Sequence, residues 1–71
     1  MIIVSVSETM QQDIGRGEIL VSFSDYQQTS PTEAIITYAR KRYRGIIHQA
    51  KDGLHWTEIV ASVPTQKGDP T

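Results

Sequence analysis

The chain has 71 residues, seven Lys+Arg against eight Asp+Glu, a formal net charge of −1 and no cysteine. That length holds one domain, and the missing thiols exclude a disulfide framework, a thiolate zinc site and a cysteine nucleophile. The near-neutral balance excludes nucleic-acid binding by bulk polycationic attraction, and no apolar run is long enough to span a membrane.

Ile2 to Glu8 alternates, with Ile2, Val4 and Val6 on one face and Ile3, Ser5 and Ser7 on the other. That period of two predicts a half-buried strand. The polar, glycine-bearing stretch from Gln11 to Gly17 reads as a turn, and a second strand is expected from Glu18 to Ser24. Ile19, Val21 and Phe23 share one of its faces, and Leu20 and Ser22 the other. A short connection makes the pair an antiparallel hairpin. Asp25 to Thr29 reads as a polar connector.

Ser30-Pro31-Thr32-Glu33 has the pattern of a capping box with proline at the first helical position. It predicts a helix over about 31–44, closed by Gly45, with Arg40, Lys41, Arg42 and Arg44 suiting the negative end of its dipole. Ile46 to Ala50 then reads as a strand, Lys51-Asp52-Gly53 as a hairpin turn, and Leu54 to Val63 as a last strand rich in β-favouring residues. Residues 64–71 read as a polar, disordered tail.

The expected architecture is therefore α+β: a small two-layer ββαββ sandwich over residues 1–63, with one helix packed on an antiparallel sheet. One helix covers one face of such a sheet. With the turn at 51–53, His48 stands opposite Trp56 and Ile47 opposite Thr57. Ile46, Leu54, Trp56 and Val60 then fall on the open face together with Ile3 and Leu20, where they form a candidate partner-binding patch. A bulge that shifts the register would instead carry Trp56 into the core.

A second candidate surface is the outer face of the expected helix. Arg40, Lys41, Arg42 and Arg44 would reach phosphates there, or would simply keep the helix solvated. Little else points to chemistry. His48 and His55 point to opposite faces and no third ligand is evident, so no metal and no cofactor is expected. No serine sits beside a base and acid, and Gly15-Arg16-Gly17 opens no phosphate-binding helix.

By elimination the expected function is that of a cytoplasmic, non-enzymatic protein-binding module. It would be a small regulator or inhibitor of the kind phage and plasmid accessory genes encode, acting on a host enzyme or defence complex. A domain this short buries only about 60% of its unfolded surface, so a protein partner or a homodimer is an expected source of further stability. The alternative is a nucleic-acid-binding protein that uses the basic helix face.

Overall fold

Alternation in Ile2-Ile3-Val4-Ser5-Val6 gives strand β1 (Ile2–Val6), with Val4 and Val6 buried. In the computed structural model, which describes residues 1–64, the next element is a helix, α1 (Glu8–Ile14), where the sequence pattern predicts the end of a strand and a turn. Ser7 starts it by accepting a hydrogen bond from the Met10 N–H at 3.4 Å, and Glu8 suits the positive end of the first turn. Gly15 ends it at φ 82°, a conformation open to glycine at little cost. Seven residues are too few to stay helical alone, and α1 is held by Met10, which is buried, and Ile14, which packs against the core.

Five further strands follow: β2 (Glu18–Val21), β3 (Tyr26–Ser30), β4 (Glu33–Tyr38), β5 (Lys41–Gln49) and β6 (His55–Ser62). A short 3-10 turn at Phe23–Asp25 joins β2 to β3, so Phe23 leaves the strand face assigned to it and stands in solvent. The six strands form one sheet in the order β2-β1-β6-β5-β4-β3. All neighbours are antiparallel except β1 and β6, which run parallel with Val4 beside Thr57 and Val6 beside Ile59. The sheet is curled into a half-barrel.

This overturns the expected ββαββ sandwich. Residues 31–44 form no helix. Ser30 Oγ accepts from the Thr32 N–H at 3.2 Å within a tight turn, and the chain returns along β3 as β4. The physical reason lies just beyond the capping pattern. Ile35-Ile36-Thr37-Tyr38 is a run of β-branched and aromatic residues, which lose side-chain freedom in a helix and pack well on a pleated surface. Ala34 and Ile36 are buried while Ile35 and Thr37 are half-exposed, which is strand periodicity. Ala39 and Arg40, at φ 52° and 65°, make the two-residue turn between β4 and β5. The basic helix face therefore does not exist as such. The polar connector 25–29 is also overturned, because most of it becomes edge strand β3.

The hairpin turn at 51–53 forms where expected. Ala50 N–H donates to the Leu54 carbonyl at 2.8 Å, and the Leu54 N–H to Asp52 Oδ1 at 3.1 Å. His48 stands opposite Trp56 and Ile47 opposite Thr57. Beyond them the register shifts: Gly45 faces Ile59 and Arg44 faces Ala61, so Val60 is a bulge. The expected disordered tail lies, beyond Pro64, outside the described residues.

The core sits on the inner face of the curl. Val4, Val6, Met10, Ile19, Val21, Ala34, Ile36, Tyr43 and Ile59 pack there. Each large aliphatic among them contributes about 1.5–3 kcal/mol by leaving water. Gly45 is required at its position, because an added Cβ would lie 2.7 Å from Ile36 Cδ1 and 2.8 Å from Thr57 Cγ2. Helix α1, which follows Val6, packs against β1 and β6 and buries Met10 in this core.

Candidate functional site

Strand alternation fixes what the outer face shows. Val4, Ile19 and Thr57 point inward, so their neighbours Ile3, Leu20 and Trp56 point outward. Ile3 pairs with Leu20, and the Val4–Thr57 pairing sets Ile3 beside Trp56. Three adjacent strands thus place Leu20, Ile3 and Trp56 in one transverse row, 57%, 62% and 46% exposed. His48 extends the row onto β5. Its ring stacks on Trp56 with centroids 4.9 Å apart, and its Nε2 lies 2.9 Å from Glu58 Oε1. The stack fixes the indole on the outer face.

The row borders a cleft of about 510 Å³ that shares Ile3 and Trp56 with it. Tyr26, Gln28, Ile47 and His55 line its walls. Tyr26 and Gln28 point inward from β3 because their partners Ile36 and Ala34 do. At the back of the cleft the Tyr26 hydroxyl and Thr57 Oγ1 share a 2.6 Å hydrogen bond. The site thus joins an apolar ridge to a recess with an apolar body and a few polar groups, which can anchor a side chain and orient it.

The four residues expected to form the patch are only partly brought together. Trp56 is in the row, and Leu54, in the turn just before it, is strongly exposed. Ile46 lies one row away, half-buried between Glu33 on β4 and Glu58 on β6. Val60 is the half-buried bulge residue, further along β6. Sequence patterning marks neither Tyr26 nor Gln28 as a site residue, and it brings up His55 only as a metal ligand to be set aside. The signal that would have found Tyr26 and Gln28 is the strand character of Tyr26-Gln27-Gln28-Thr29-Ser30, which its polarity hides.

The basic residues gather at the opposite end of the β4–β5 hairpin. Arg40 is in the turn, Lys41 and Arg42 open β5, and Arg44 follows. Alternation about the buried Tyr43 and Gly45 sends Arg42 and Arg44 outward and Lys41 to the other face. Arg44 is paired with Glu33 at 3.2 Å, an exposed contact worth about 0.2–1 kcal/mol. Lys41 and Arg42 line a shallow hollow of about 260 Å³ with Asp13 and Pro64.

Among the described residues no three His, Asp or Glu side chains group to hold a metal ion, and no helix is long and apolar enough to cross a membrane. No family model, curated protein or solved structure matches the chain.

Proposed function

We propose that this chain is a non-enzymatic protein-binding module, a small regulator or inhibitor of the protein on which it docks. The observation that carries the reading is the Leu20–Ile3–Trp56 row, three large apolar side chains side by side in solvent and continuous with the cleft that Ile3 and Trp56 also line. Contiguous apolar surface of this kind is costly for a free protein, and a rigid, half-exposed Trp is the residue type that most often anchors an interface. The test is capture of partners by the tagged chain with and without nuclease, comparing wild type with Trp56→Ala. A protein retained after nuclease treatment and lost with Trp56→Ala is the expected result. Retention that ignores Trp56 would remove the row from the reading.

A specific observation favours one other reading. Arg40, Lys41 and Arg42 are consecutive at one hairpin end, an arrangement suited to phosphate contacts. In that reading the retained species is nucleic acid, its binding falls steeply with salt, and Arg40→Glu with Arg42→Glu removes it.

A further inference from the structure

The sheet ends in two edge strands, β2 and β3, and they are treated differently. β3 carries a register shift between Gln28 and Ser30, and Pro31 follows immediately. Bulges and prolines are devices that keep an edge from pairing with another chain. β2 has neither. Its Glu18-Ile19-Leu20-Val21 is regularly paired to β1 and carries a single charge, at its first residue.

The backbone of β2 fixes what that edge offers. Val6 N–H donates to the Gly17 carbonyl at 2.9 Å, and the pairs Val4–Ile19 and Ile2–Val21 stand in the same register. Gly17, Ile19 and Val21 therefore turn their amide groups to β1. The intervening residues Glu18 and Leu20 turn theirs away from it, while the Ser22 carbonyl, just past the strand, accepts from the Asp25 N–H at 3.0 Å. The Leu20 N–H and C=O are thus directed out of the sheet edge, and its side chain stands at the end of the apolar row.

We propose that the β2 edge pairs antiparallel with β2 of a second copy of this chain, about a two-fold axis at Leu20. The proposal rests on the reading of the outer row as a protein-docking face, and it names the partner. In this register Leu20 faces its own counterpart and the two residues exchange both N–H···O=C bonds. Glu18 faces Ser22 of the other copy, and the Asp25 carboxylate lies beyond it, 3.1 Å from the Ser22 hydroxyl. The inner faces of the two half-barrels stay on the same side of a continuous sheet. On the outer side the row becomes Trp56–Ile3–Leu20 running straight into Leu20–Ile3–Trp56 of the other copy. The exposed apolar surface of one chain is thereby completed by the same surface of the next, which is the self-complementarity a two-fold interface requires. A chain this short gains from it the buried area its own core lacks.

The test is sedimentation equilibrium of the full chain across micromolar to near-millimolar concentration, with three variants at Leu20 and one control on β3. Wild type is expected to sediment at twice the chain mass. Leu20→Asp, which sets two carboxylates opposite each other, and Leu20→Pro, which removes the edge donor, are expected to sediment at once the chain mass with unchanged circular dichroism. The half-exposed Leu20 side chain and outward N–H make both compatible with the fold. Leu20→Asp and Leu20→Cys keep the test decisive should the proline unfold the chain. Directly opposed residues in a hydrogen-bonded antiparallel pair have Cα atoms about 5.5 Å apart, within disulfide reach. Because the chain has no cysteine of its own, Leu20→Cys should oxidise to a covalent dimer while Gln27→Cys on β3 should not. A monomeric wild type at every concentration overturns the proposal, as does a dimer that survives Leu20→Asp. A monomeric chain that still captures another protein through Trp56 would sink the self-pairing and leave the docking face standing.

Discussion

The Tyr26 hydroxyl lies 2.6 Å from Thr57 Oγ1, although β4 and β5 separate their strands in the sheet. A side chain spans that gap only because the sheet curls back on itself, and the bond therefore measures the curl. Thr57 is the one buried polar side chain of the described core, at 6% exposure, and Tyr26 supplies a hydrogen-bond partner for its hydroxyl.

Tyr26→Phe should therefore destabilise the fold by about 1–3 kcal/mol, the range for leaving a buried hydroxyl without its partner. Adding Thr57→Val should recover part of the loss, because both polar groups are then gone. Urea denaturation of the two single variants and the double variant gives the coupling. Additive losses would mean that the bond does not hold the two strands together.

Gly45→Ala should cost about 1–3 kcal/mol, as overpacking of a filled core does. The new methyl meets the side-chain ends of Ile36 and Thr57, which must shift within the core, since Ile36 is fully buried and Thr57 nearly so. Thermal unfolding followed by circular dichroism reads the change. Combining Gly45→Ala with Ile36→Val should relieve part of it.

Ala39 and Arg40 hold positive φ without being glycine or asparagine. Such a conformation costs an ordinary residue about 1–2 kcal/mol. Ala39→Asn with Arg40→Gly supplies the residue pair that this hairpin turn favours and should raise the melting temperature. The same double variant removes one of the hairpin's cations, so its salt-dependent affinity for nucleic acid, measured beside wild type, also weighs the second functional reading.

Trp56→Ala should lose protein capture while keeping the wild-type circular dichroism spectrum. Its stability cost should stay near the 0.5–1.5 kcal/mol of an aromatic pair plus a modest loss of packing, because the indole is held by the His48 ring rather than by the core. Global unfolding of this variant would place the indole among the residues that hold the sheet together and end its role as a docking group.

Much of the sheet is legible in the sequence. Alternation marks β1 and most of β2, and Asp52-Gly53 marks the last hairpin, from which the His48–Trp56 pairing follows. The helix is where local signals mislead. Ser30-Pro31-Thr32-Glu33 resembles a helix start, yet the β-branched run behind it decides the conformation. The true helix is announced by Ser7, by Met10 and Ile14 four residues apart, and by Gly15, but seven residues leave little periodicity to read. The site is legible in part. Trp56, Ile3 and Leu20 share an outer face by alternation alone. Their alignment into one row depends on the parallel pairing of β1 with β6, which no local pattern encodes. The cleft depends on the curl, a property of the whole sheet.

That parallel pairing also predicts an order of events as the chain folds. The strands from β3 to β6 follow one another with short turns and can zip up locally. Docking β1 beside β6 requires Val4 to find Thr57 across almost the whole described chain, so its loop-closure entropy is lost last. Val4 should show a low φ-value and Ile36 a high one. Substitutions in β1 should then mainly hasten unfolding, and those in the β4–β5–β6 meander should mainly slow folding. On a ribosome, the apolar row would stay divided between two unjoined segments until β6 had emerged.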